Sequence, residues 1–291
     1  MSEKNLPFFG TAGNSDSFFE AGHKDLLEAP AYVRGFGLDA YEYQGGHGVN
    51  ISEKRAATLG EAAKENGIRL SIHSPYYISM ASADEEIRKN SIGYIVKSAV
   101  AARAMGADRI VVHCGACSKV PREEALATAK ATFRGALEAL DGLGLSGISL
   151  CPETMGKLNQ LGTVDEVMEI CAMDERLIPC IDFGHVYART LGGLAAPEDF
   201  RAIFDAIETK LGAWRLKNFH SHFSHIEYTE KGGEKRHLTF ADGGGPRFEP
   251  VAELCLKKGC TPVFICESRG TQAEDACKMK EIYLEKAGEN A

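Results

Sequence analysis

Asp182 and His185 stand three residues apart in Pro179-Cys180-Ile181-Asp182-Phe183-Gly184-His185, where an apolar run ends. A carboxylate and an imidazole are metal-ligand types, and neither favours a strand interior. Residues 177–181 read as a short buried strand giving way to a loop, with Gly184 letting the backbone turn so that both side chains face one space. The pair alone is weak evidence, since such residues also make ordinary structural hydrogen bonds. It gains weight because the same arrangement recurs: apolar runs end at His73, His113, Glu153, Asp182 with His185, His220 with His222, and Glu267. Mixed imidazole and carboxylate ligands without cysteine suit zinc, manganese or iron, and carboxylates can bridge two ions. The expected chemistry is that of a cluster of two or three divalent ions.

Something must bring those ends together. Apolar, strand-like runs at 7–13, 38–43, 68–73, 109–113, 148–153, 177–181, 216–223 and 262–267 alternate with helical patterns at 17–32, 52–66, 84–105, 121–140, 164–173, 197–211, about 249–258 and 272–286. Ser52 reads as an N-cap, Pro121 as a helix start, and Gly67 and Gly106 as helix stops. Eight strand–helix units of ~35 residues are what a (β/α)8 TIM barrel needs, and in that fold all strand C-termini converge on one face. A doubly wound sheet competes, but it does not require eight regular units. No linker or low-complexity stretch divides the chain, so residues 1–291 are expected to form a single barrel domain. Residues 224–246, rich in glycine and charge, read as a loop over one face.

Composition narrows the setting. A chain of 291 residues that is 44% hydrophobic and 25% charged can bury a sizeable core. The net charge of -8 argues against nonspecific attraction to polyanions, although a local basic patch remains compatible with it. The N-terminus lacks the apolar core of a signal peptide, and no apolar run is long enough to span a bilayer, so a cytoplasmic protein with no membrane partner is expected. Nine cysteines, an odd number spread over strands and helices, fit reduced thiols better than a disulfide framework. Cys114 and Cys117 form a Cys-x-x-Cys pair with no second pair to complete a structural zinc site. No obligate protein partner is evident.

As a set, Ile72-His73-Ser74-Pro75-Tyr76-Tyr77-Ile78, Val112-His113-Cys114-Gly115, Pro152-Glu153-Thr154, Ile181-Asp182-Phe183-Gly184-His185, His222 with His237, and Cys266-Glu267-Ser268 resemble the endonuclease IV family of apurinic/apyrimidinic endonucleases. Its relatives include the xylose-isomerase-like barrels, and the similarity covers nearly the whole chain. The resemblance implies three zinc ions at the barrel mouth: His73 and His113 on one, Glu153 bridging to a second completed by Asp182, His222 and Glu267, and His185 with His237 on the third. It also selects His222 over His220, because the fifteen-residue step to His237 matches the family spacing. One departure stands out. Where the family has an Asp two residues before the second loop histidine, this chain has Lys235, in Glu234-Lys235-Arg236-His237. Glu234 takes that role after a small loop shift, or water does, or the third ion is weakly held.

The resemblance further implies cleavage 5′ to an abasic site in double-stranded DNA, as in base excision repair, with Tyr76 and Tyr77 entering the minor groove. Glu153 or Glu267 would orient the attacking water, and Lys157 lies close enough to Glu153 to stay at the mouth. Against DNA, the 43–49 loop has no Arg or Lys, and other basic residues near strand ends are few: Lys119, Arg189, Lys231, Lys235, Arg236 and Arg269. The alternative is a sugar isomerase or epimerase, in which Glu153 and Glu267 flank one divalent ion and shuttle a proton beside a carbonyl. Such chemistry needs fewer histidines.

Overall fold

Each barrel strand is a stretch of three to five residues whose two faces are both covered, so apolar side chains occupy the outward positions and the inward ones are free to vary. The computed structural model describes residues 6–117 and 120–289. Strands β1 (Phe8–Ala12), β2 (Ala40–Gln44), β3 (Arg69–His73), β4 (Arg109–His113), β5 (Ser149–Glu153), β6 (Cys180–Asp182), β7 (His220–Phe223) and β10 (Val263–Cys266) close into one parallel barrel. The fold is the (β/α)8 TIM barrel. A separate antiparallel hairpin, β8 (His225–Thr229) and β9 (Gly233–Leu238), follows β7.

Register explains the placement of chemistry. Partners in adjacent parallel strands point the same way, and alternate residues of one strand share a face. The pairs Glu42↔Ser71, Gln44↔His73, His73↔Val111, His113↔Glu153, Glu153↔Cys180, Cys180↔His220 and Asp182↔His222 therefore put all these side chains on the inner side. The intervening residues, such as Phe9, Tyr41, Ile72, Val112, Ile181 and Phe264, are buried between barrel and helices.

The helices that cover this barrel are α1 (Asp16–Glu20), α2 (Ala29–Gly35), α3 (Glu53–Glu65), α4 (Glu85–Met105), α5 (Arg122–Gly142), α6 (Val164–Cys171), α7 (Phe183–Arg189), α8 (Pro197–Leu211), α9 (Ala213–Asn218), α10 (Glu249–Lys258) and α11 (Gln272–Glu289). Ser52 caps α3 by accepting from the Arg55 amide, and Gly106 ends α4 in the left-handed conformation, as their positions predicted.

Five expectations need correction. The 17–32 helix is broken, because the chain turns at Gly22 and Pro30 suits the start of a new helix, α2. Residues 216–218 belong to α9 rather than to the seventh strand: Leu216 is buried, and Arg215 donates to the carbonyls of Cys171, Asp174 and Leu177. The 224–246 loop contains the β8–β9 hairpin, whose polar strands lack a long apolar run. The strand at Asp182 passes directly into α7 rather than into a loop, with Asp182 as N-cap accepting from the His185 amide at 2.7 Å. Gly184 is needed for close approach rather than for a turn: a Cβ there would sit 2.8 Å from the Ser224 carbonyl oxygen.

Candidate metal centre

Glu153, at the end of β5, is the hub. It is 1% exposed, and four imidazoles from four different elements surround it. His73 Nε2 and His113 Nε2 lie 3.4 and 3.1 Å from Oε2, and His185 Nδ1 and His222 Nδ1 lie 3.3 and 3.1 Å from Oε1. Burial opposes its charge, but the charge on His222 and the contacts with His113, His185 and His222 hold the carboxyl well below its ordinary value.

Backbone carbonyls set the imidazole orientations. His73 Nδ1 donates to the carbonyl of its neighbour Ser74 at 2.7 Å, which leaves Nε2 bare toward Glu153. His185 Nδ1 donates to the Thr154 carbonyl at 2.9 Å, and its Nε2 faces Glu234 Oε2 at 3.5 Å. Burial opposes charge on both rings. The Glu153 carboxylate outweighs it at His73, and Asp182 and Glu153 raise His185 well above its ordinary value. His113 goes the other way, lowered by burial. Burial pushes the Glu267 carboxyl up, opposed by His222 and His237.

Three donor sets result, the first two sharing Glu153: His73, His113 and Glu153; Glu153, Asp182, His222 and Glu267; and His185, Glu234 and His237. Within each set the donor atoms all lie within 4.8 Å of one another. These donors fit divalent cations by a further observation. Glu153 Oε2 and Asp182 Oδ2 are buried yet have no hydrogen-bond partner, so each points an unused lone pair into the cluster. Nitrogen and oxygen donors without thiolate suit zinc, manganese or iron. His73, His222 and Glu267 also approach one another, as do Cys180, His220 and His222 in the deeper layer.

A cavity of about 420 Å³ opens above the cluster, lined by His73, Tyr76, His113, Glu153, His185, Glu234, His237 and Glu267 together with Met155, Lys157 and Gln160. Tyr76 stacks on His113 with ring centroids 5.7 Å apart and donates to Gln44 Oε1 at 3.1 Å; burial pushes its hydroxyl up to about 12. Tyr77 is outside the lining, half exposed, and packs edge-on against Tyr94. Lys157 is exposed at the rim, on a loop held by Arg189, which donates to the carbonyls of Met155, Lys157, Leu158 and Gln160. Lys235 and Arg236 both pair with Glu227 on the outer side of the hairpin. Lys119 lies outside the described residues. A larger cavity of about 740 Å³ lies at the opposite end of the barrel, beside Phe8, Arg69 and Asp108, and contains none of these donors.

His225 is not in any of these sets; it stacks on Phe240 at 4.6 Å. Glu42 is the residue that reading strand ends overlooked. It stands near the end of β2 with the same inward parity as its Ser71 partner, fully buried beside His220 and His222. A carboxylate near the end of an apolar run was the available signal.

The sequence matches the xylose isomerase-like TIM barrel family over residues 30–285. It is 32% identical to an uncharacterised protein of Methanocaldococcus jannaschii over 96% of this chain and 98% of that one. It is 27% identical to a probable endonuclease 4 of Natronomonas pharaonis over 65% of this chain and 67% of that one. Among solved structures, endonuclease IV from Thermus thermophilus is similar with a TM-score of 0.65 at 20% identity, covering 97% of this chain and 100% of that one. A D-tagatose 3-epimerase-like protein gives 0.68 at 22% identity, covering 92% and 96%. At such identities the two structural likenesses speak for the fold alone. With a closed barrel, inward-facing donors at its mouth and a match over most of its length, this chain belongs to the xylose isomerase-like TIM barrel family, AP endonuclease family 2.

Proposed function

We propose that this protein is a metal-dependent phosphodiester hydrolase that incises double-stranded DNA at abasic sites, using two or three divalent ions, zinc by preference over manganese or iron. The observation that carries the reading is the sharing of Glu153 among four imidazoles, beside two further donor sets. One ion flanked by two carboxylates does not need so many nitrogen donors. His73, His113 and Glu153 would hold one ion, Glu153, Asp182, His222 and Glu267 the second, and His185, His237 and Glu234 the third.

Bound divalent ions neutralise charge on the phosphoryl group, make water more acidic and stabilise the leaving oxygen. The remaining work falls to side chains. Glu267, on the cavity wall and raised by burial, orients the attacking water and accepts its proton, while Glu153 is committed to its imidazoles. Lys157 meets a nonbridging phosphate oxygen at the rim. Tyr76 offers a half-exposed ring to the DNA, with Tyr77 beside it in sequence. An extruded abasic sugar has no base to reject and fits a cavity of about 420 Å³.

A second reading, a sugar isomerase or epimerase, is favoured by one feature: several nearby basic groups are already engaged. Arg189 holds a loop, and Lys235 and Arg236 face Glu227, which leaves few cations for phosphates. There Glu153 and Glu267 would form the proton-shuttling pair. Incubating metal-replete protein with a duplex carrying one abasic site, beside an undamaged duplex and an EDTA control, separates the two. Metal-dependent incision only at the lesion is expected; intact DNA together with turnover of a keto sugar would replace the first reading by the second.

A further inference from the structure

Two stretches of chain outside the barrel strands meet at the rim of the cavity. The connection from β5 to α6 runs beside the start of β9, where the Glu234 amide donates to the Gly156 carbonyl at 3.1 Å and the Leu158 amide donates to the Gly232 carbonyl at 3.2 Å. Between those bonds Lys157 pairs with Gly233 as an antiparallel bridge. In that register Gly156 stands opposite Glu234, and side chains at opposed positions share a face. Glu234 uses that face to reach the cavity, with Oε2 3.5 Å from His185 Nε2.

Close approach requires a glycine on each side of the bridge. A Cβ at Gly233 would lie 2.3 Å from the Gly156 carbonyl oxygen, and the residue holds φ at +75°, a conformation that suits glycine. A Cβ at Gly156 would lie 2.6 Å from Glu234 Cβ, 2.9 Å from Glu234 Oε2 and 3.1 Å from His185 Cδ2. All three atoms belong to the third donor set, so a methyl group at 156 displaces two of its three members. The other two sets draw on β3 to β7 and on Glu267 just after β10, and none of their members lies on the hairpin.

We propose that Gly156 and Gly233 are positioning residues: the bridge they permit carries Glu234 into the third donor set, and an ion binds there only while the connection and the hairpin are joined. The first two ions bind without it. This rests on the reading of His185, Glu234 and His237 as an ion site, and it holds for DNA and sugar substrates alike.

The test uses the full chain and zinc alone. Zinc binding is measured in chelator-buffered solutions, and NMR follows hydrogen exchange at the amides of positions 158 and 234 in the zinc-loaded proteins. The unsubstituted protein is compared with Gly156→Ala, Gly233→Ala, Glu234→Ala and Gly232→Ala. The last adds a methyl group to the same turn, but its nearest neighbour there is Thr229 Oγ1 at 3.1 Å rather than the β5–α6 connection. We expect slow exchange at both amides and three bound zinc ions in the unsubstituted protein and in Gly232→Ala. Gly156→Ala and Gly233→Ala should speed exchange at both amides and weaken one zinc by roughly 10- to 100-fold, the usual effect of losing a group that orients a ligand, with the other two unchanged. Glu234→Ala should weaken the same zinc while both amides stay slow. Free exchange at both amides in the unsubstituted protein overturns the inference and needs no variant to fold. So does unchanged zinc binding in Gly156→Ala and Gly233→Ala, or an equal loss of every ion in both. Full zinc affinity in Glu234→Ala instead removes the reading of the third set as an ion site, and the inference with it.

Discussion

Lys235 stands outside the third donor set, and its neighbour Glu234 stands inside it. Hairpin geometry turns Lys235 outward to Glu227, while Glu234 faces the cavity with Oε2 3.5 Å from His185 Nε2. Gly156 makes room: a Cβ there would lie 2.6 Å from the Glu234 Cβ. Glu234→Ala should therefore lower the bound metal by one equivalent, whereas Lys235→Ala should leave the count unchanged; elemental analysis after gel filtration distinguishes them, and the reverse pattern would show that the carboxylate is not the replacement. Most candidate donors were legible as residue types at the ends of apolar runs, because inward parity is a property of sequence. Glu42 carried the same signal near the end of β2 and was passed over; its pairing with His220 was not legible, since the two lie 178 positions apart and only the closed barrel joins them. His237 and Glu234 lie on the hairpin, off the barrel strands, and emerged only through the family resemblance.

The β5–α6 connection positions Lys157 and Gln160, and it is held by a small ionic network. Thr163 and Glu166 form a capping box at the start of α6, and Arg122 pairs with Glu166 while donating to the carbonyls of Leu158 and Gln160. Burial opposes the Glu166 charge, but Arg122 and the amides of Gly162 and Thr163 prevail, so the carboxyl is held below its ordinary value. A depressed folded value means that this stabilisation is fully present above the unfolded value, near 4.5, and is lost as pH falls through the folded one. Glu166→Gln should cost about 1–3 kcal/mol at neutral pH and converge with the unsubstituted protein in acid, by urea unfolding at a series of pH values. A constant difference across that range would rule the ionic network out. Elements with strong periodicity and caps, such as α3 and α4, were readable in advance. The short α9 was not, because Leu216-Lys217-Asn218-Phe219 fits strand and helix patterns alike, and tertiary contacts of Arg215 decide between them.

As a whole the molecule combines a conventional barrel with an acidic balance, 41 acidic against 33 basic residues. Among the described residues, no helix is long and apolar enough to cross a membrane. The barrel itself was the most legible feature, because eight alternating units leave few topologies. The substrate is written less plainly, since DNA affinity depends on a handful of exposed cations. If Lys157, Lys231 and Arg269 supply the main phosphate contacts, the logarithmic dependence of DNA affinity on salt should have a slope of about -3 or shallower. A much steeper slope would point to a basic surface elsewhere. The central claim is a multi-ion centre built around Glu153, and the direct measurement is anomalous scattering from crystals of the zinc-loaded protein, with zinc counted on the same sample. Two or three peaks at the mouth, one between Glu153 and the pair His73 and His113, are predicted; a single peak between Glu153 and Glu267, with one zinc per chain, would contradict the account.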